Sequence, residues 1–154
     1  MSAKDRLRPN SVLFWLTGLI AVGIIFIGIR FVFDPLRAAL DFGVPAYGSP
    51  TLAYFWTKGS RDIVAGLLLA SLLWLGVGRV VTATFLLVAA LIPIADFLNV
   101  YINTHSQASG AMMIHGGTAV FMIVLALFIL RGAATATGKQ IDSEEELRRS
   151  ASGI

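Results

Sequence analysis

Asp62, Asp96 and His115 stand where ionisable side chains are costly. Asp96 lies in LIPIADFLNVYIN, Asp62 near the start of RDIVAGLLLASLLWLGVG, and His115 in AMMIHGGTAVFMIVLALFIL. A charged group at a bilayer centre costs roughly 2.5–3.5 kcal/mol on insertion scales, so such residues are functional candidates by default. Two carboxylates in different surroundings divide into an acid and a base. An imidazole beside them orients or shuttles the proton. Asp96, His115 and Asp62 are therefore the candidate catalytic residues. Arg61, Arg30, Asn99 and Asn103 are the candidate substrate-binding residues, because they supply charge and hydrogen bonds around the same level. The expected chemistry is binding or acid–base conversion of a lipophilic small molecule: isomerisation, cyclisation or epoxide opening by an intramembrane enzyme.

The competing reading is structural. Buried ion pairs fix helix register without doing chemistry, and Asp96 has His115 and Arg61 as available partners. Arg61 can also snorkel to headgroups, and Arg30 can pair with Asp34 one turn away. On that reading the chain is an accessory subunit whose polar cluster holds the bundle or a partner together. Two carboxylates and an imidazole could also bind a metal facially, but no local two-ligand spacing supports a site. No metal or cofactor is expected. A Ser-His-Asp arrangement lacks a suitable serine. His105 falls in a turn and is read as exposed.

The elements that must position these groups are membrane helices. Of 154 residues, 56% are hydrophobic and only 14% charged, with a mean hydropathy of +0.79. Soluble domains carry about a quarter charged residues. Four apolar runs, at about 12–33, 60–78, 80–102 and 111–130, each approach the roughly 20 residues that cross a hydrocarbon core. Backbone polar groups must satisfy themselves in lipid, so the runs are helices. The expected fold class is all-α: one integral membrane domain, 1–154, built as a four-helix bundle. The first run is too long for a cleaved signal peptide's apolar core of roughly 7–15 residues.

Lys and Arg set the orientation. Lys4, Arg6, Arg8, Arg79, Arg131, Lys139, Arg148 and Arg149 gather on one side; Arg30, Arg37, Lys58 and Arg61 are placed on the other. Both termini are expected in the cytoplasm, with Trp15 and Trp74 in one aromatic belt and Tyr54, Trp56 and Tyr101 in the other. The net charge of +3 reports topology, so no nucleic-acid partner is expected. The expected partners are the lipid bilayer, a lipophilic ligand and, as an open question, a second copy in a homo-oligomer. The connection over 34–59 reads as an interfacial helix near Pro35–Phe42 followed by an irregular lid. The polar tail, 132–154, reads as frayed or partly helical.

Depth ties the candidates together. At about 1.5 Å per residue, Asp62 and Asp96 each lie roughly 25 Å from the turn at Arg79. His115 is roughly 6 Å below the opposite surface, and Arg30 roughly 28 Å from Ser11. All sit at one level, on four different helices. Pro93 frees the carbonyl of Ala89 and is expected to kink its helix beside Asp96.

The stretches FGVP, KGSRDIVAGLLL, GR, IPIADFLNV and HGGTAV resemble a family of small, uncharacterised four-span membrane proteins, distantly DoxX-like. The resemblance runs from the first span to the fourth. It rests on Arg61–Asp62, on Asp96 after a proline, and on His115–Gly116. It implies a four-helix fold and supplies no function.

Overall fold

The structure is a computed structural model; it describes residues 6–44, 48–104 and 107–151. His105 lies outside the described residues. Among the described residues the regular structure is helical, apart from a single bridge between Arg6 and Gly78. In chain order the helices are α1 (Val12–Phe33), α2 (Pro35–Phe42), α3 (Gly48–Trp74), α4 (Arg79–Ala89), α5 (Leu91–Thr104) and α6 (Ser109–Ala151).

Local chemistry explains most of the boundaries. Ser11 caps α1, its hydroxyl accepting from the Phe14 N–H at 3.2 Å, as an N-cap serine does. Asp34 closes α1 and caps α2, where Pro35 fills the first position, the place a helix tolerates proline. Gly43 ends α2 at φ 93°, a left-handed conformation that favours glycine. A Cβ at Gly43 would also stand 2.7 Å from Ala111, so a side chain there is blocked on both counts. The α4–α5 break falls at Ala90, three residues before Pro93, because proline has no N–H and its ring crowds the preceding turn.

Two sequence expectations change. The second apolar run begins much earlier: α3 spans 27 residues from Gly48, so the described part of the expected irregular lid is largely helix. Residues 45–47 of that lid lie outside the described residues. The sequence reading ends the connection at Gly59 and begins the span at Ser60, but Gly59 is a packing point inside α3. A Cβ on Gly28 would lie 2.6 Å from the carbonyl oxygen of Gly59, and one on Gly59 would lie 2.7 Å from that of Gly28. Small residues let helix backbones approach closely in membranes, and that contact outweighs glycine's poor helix propensity. The polar tail is likewise helical through Ala151.

The helices form a bundle. α1 packs chiefly along α3, while α6 runs along α4 and α5. One apolar core joins Ala21, Leu69, Leu86, Met122 and Ile129. A second, beneath α2, joins Phe31, Ala39, Phe42, Phe55 and Val100. Three helical segments are long and apolar enough to cross a membrane: Val12–Phe33, Arg79–Thr104 and Ser109–Thr135. Most of their surface is unburied in the isolated chain, only 17% of the first being covered. That pattern suits a membrane protein whose exposed apolar faces meet lipid. α3 is long enough, but its half nearer α2 carries Lys58, Arg61 and Asp62.

Candidate functional site

The charges on α3 meet Asp96 of α5 between the two apolar cores. Lys58 stands at the centre. Its ammonium donates to Asp62 Oδ2 at 2.9 Å and to Asp96 Oδ2 at 2.8 Å. The same nitrogen lies 4.9 Å from the ring centroids of both Phe31 and Phe42, close enough for a cation–π attraction to each face. The Lys58 side chain is 3% exposed, and those of Asp62 and Asp96 are 5% and 8% exposed. Arg61 approaches the other side of both carboxylates. Its guanidinium donates to Asp62 Oδ1, with Nη2 at 2.9 Å and Nε at 3.0 Å, and Nη2 reaches Asp96 Oδ1 at 3.6 Å. Each carboxylate thus faces Lys58 with one oxygen and Arg61 with the other.

Formal charges in this cluster sum to zero: Lys58 and Arg61 against Asp62 and Asp96. Burial of charge is tolerable only when it is paired and hydrogen-bonded. Both conditions hold, and among the described residues no buried side-chain nitrogen or oxygen lacks a hydrogen-bond partner.

All four candidates expected at a common level line one cavity. Asp62 and Asp96 share Lys58, and His115 lines the same cavity as both. His115 Nε2 is 3.4 Å from the Phe42 carbonyl oxygen, and its ring packs edge-on against Phe42 at 4.8 Å. None of the hydrogen bonds among the described residues joins His115 to Asp96. Arg30 also lines the cavity, but it pairs with Asp41 of α2, not with Asp34. Asn99 and Asn103 are placed elsewhere. Asn99 donates to the Tyr54 hydroxyl at 3.0 Å, and Asn103 donates to Asn99. They extend the α3–α5 seam and are not among the cavity-lining residues.

Lys58 is the residue the sequence reading missed; it was placed in a loop. Two signals pointed to it. Lys58 and Asp62 are four residues apart, the spacing of neighbours on a helix face. The face then continues through Gly66 and Leu69, both buried.

The cavity beside the cluster measures about 210 Å³. α1 contributes Ile24 and Ile27, the broken helix Ala89, Ile92 and Pro93, and α6 Ile114, Thr118 and Met122. The walls are therefore apolar except where Lys58, the two carboxylates, His115 and the Arg30–Asp41 pair face in. Ile27 and Ile114 are 45% and 64% exposed, and the Arg30–Asp41 pair is exposed too, so the open rim of the cavity runs between α1, α2 and α6. Among the described residues no group of three or more His, Asp or Glu side chains is arranged to hold a metal ion.

Such a site can bind a small apolar molecule against one polar wall. Pro93 lines the space beside Asp96, and the two carboxylates hold Lys58 against its wall. The family described as a domain of unknown function (DUF4267) matches residues 21–129. Comparison with curated proteins and with solved structures returns no match.

Proposed function

The chain belongs to the DUF4267 family, and from that premise we propose that it is a four-span membrane protein that binds a lipophilic small molecule beside the Lys58–Asp62–Asp96 cluster. The observation that carries this is the cavity itself. It is apolar over most of its wall, opens toward the lipid-exposed face of the bundle, and ends on buried charges and an imidazole. Pockets with apolar walls and a few convergent polar groups are the usual form of ligand sites. Acid–base conversion of the ligand, by isomerisation, cyclisation or epoxide opening, is the chemistry this arrangement would serve. His115 is then the group nearest to free proton exchange, since both carboxylates are engaged by cations.

A second reading has its own support. Every buried side-chain polar atom among the described residues is satisfied, and Lys58 ties α3 to α5 directly. That suits an accessory subunit in which the cluster acts as a clasp. One experiment separates the two. Ile114→Trp adds bulk at an exposed position on the cavity mouth, where the fold should tolerate it. Wild-type protein purified in mild detergent and extracted with solvent should release a lipophilic species, seen by mass spectrometry, that Ile114→Trp lacks. Equal recovery from both, or none from either, supports the clasp.

Four spans require α3 to cross with its charges paired. Lys58 and Asp62 are buried, and Arg61 is partly so, which removes these residues from the count of loop charges. The remaining Lys and Arg fall more heavily at the ends of the bundle away from α2, as expected if both termini are cytoplasmic. The distant DoxX-like relation suggested by the motifs fits this topology. The chain has no cysteine, so Arg8→Cys, Gln107→Cys and Glu145→Cys report without background. A membrane-impermeant maleimide should label positions 8 and 145 from the cytoplasmic side and position 107 from the opposite side. Labelling of 107 together with 145 from one side would sink the scheme.

A further inference from the structure

We infer that the ligand of this cavity is an uncharged, chain-like amphiphile that enters sideways from the bilayer and presents a hydroxyl end to His115 and Thr118. The inference rests on the binding reading above and narrows its ligand.

Charge comes first. The charged side chains on the cavity wall are already spoken for. Lys58 holds both carboxylates, and Arg30 holds Asp41. Arg61 completes the cluster from behind, outside the cavity wall. A carboxylate or ammonium head seated at the cluster would have to separate one of the buried Lys58 pairs, which leaves an uncompensated charge, while the exposed Arg30–Asp41 pair at the rim is already neutral. An uncharged head displaces nothing.

The wall offers such a head two partners. His115 is the one ionisable residue lining the cavity that takes part in no salt bridge among the described residues. Thr118, three residues on and therefore on the same face of α6, donates its hydroxyl to the Ile114 carbonyl at 2.8 Å. Its oxygen retains acceptor capacity. An alcohol can donate to Thr118, or to His115 Nδ1, which is left as an acceptor when the Nε2–H faces the Phe42 carbonyl.

Size and shape follow. A volume of about 210 Å³ equals roughly seven waters at about 30 Å³ each. That holds a head and the first several carbons. Anything longer must trail out through the mouth past Ile27 and Ile114, whose exposed side chains belong to the lipid-facing surface. A flexible chain can do this.

The test uses the full chain in lipid nanodiscs and three photoreactive ten-carbon probes carrying a diazirine near the head: an alcohol, a carboxylate and an amine. Crosslinks are mapped by mass spectrometry to Met122, which is fully buried and beyond the reach of bulk lipid. The alcohol should label Met122 saturably, with competition by unlabelled decanol and at least tenfold stronger than either charged probe. Thr118→Val, which keeps the side chain's shape, should weaken the alcohol by about fivefold, the worth of one hydrogen bond. Equal or stronger labelling by the acid or the amine overturns the uncharged head and leaves the binding reading standing. Absence of saturable labelling at Met122 by all three overturns both.

Discussion

Lys58→Met should cost the protein about 3–5 kcal/mol of stability, the usual penalty when one member of a buried ion pair is removed. The substitution keeps the length and apolar stem of the side chain, so the loss comes from charge. Asp62 and Asp96 would be left 5% and 8% exposed with only Arg61 to answer two carboxylates, and its 3.6 Å approach to Asp96 is the weakest contact in the cluster. Reversible unfolding in mixed micelles measures this directly. The combined variant Lys58→Met, Arg61→Met, Asp62→Asn, Asp96→Asn should recover most of the loss, since replacing a whole buried ionic group by neutral groups of similar volume is often near neutral. A Lys58→Met protein as stable as wild type would show that the carboxylates are protonated or hydrated in the native state and that the clasp is not ionic.

The second large effect concerns α1 and α3. Gly28→Ala should destabilise by about 1–3 kcal/mol, the range for overpacking a close contact. The added methyl would meet the Gly59 carbonyl oxygen at 2.6 Å and the Ile63 backbone nitrogen at 2.8 Å. Both are backbone atoms, so relief requires α1 and α3 to separate. Gly23→Ala, five residues earlier on the same helix, is the internal control. A Cβ there meets nothing within 4 Å, so it should be neutral or slightly stabilising. Thermal unfolding of the pair in one detergent decides the matter. Equal behaviour of the two alanines would mean that the helices do not touch through Gly28 and Gly59. The Gly28 variant should also weaken the cluster, because Gly59 adjoins Lys58 and any shift of α3 moves the ammonium away from Asp96.

Much of this site was legible because depth is arithmetic. Counting residues from the turn at Arg79 brought Asp62 and Asp96 to one level, and the helices do place both on Lys58. The short helix over Pro35–Phe42 was legible too, since Asp34, Pro35 and Gly43 are ordinary start and stop signals. What escaped depended on partners distant in sequence. Gly59 reads as a helix end until Gly28 is set against it. Only a helix continuing through Gly59 puts Lys58 one turn from Asp62 and inside the bundle. Asn99 and Asn103, expected around the same level as Asp96, instead turn toward Tyr54 of α3 and toward each other, while Val100, one residue past Asn99, is fully buried. A deviation of one residue rotates a side chain by about 100° on a helix of 3.6 residues per turn. That rotation separates the apolar core from the α3–α5 seam.

The division of charge between α3 and α5 has a consequence for biogenesis. Lys58, Arg61 and Asp62 all belong to α3, so on the four-span proposal this helix would enter the bilayer with its aspartate already neutralised by neighbours within its own turns, but with one positive charge in excess. α5 arrives later with Asp96, one negative charge and no cation of its own. Each helix alone carries an uncancelled charge into a medium that penalises it, and the two charges cancel only when the helices dock. Insertion thus leaves a debt on both segments that only the native pairing discharges. Helices of a membrane protein lack a hydrophobic force to bring them together once in lipid. Here electroneutrality supplies the attraction, and it selects the partner as well.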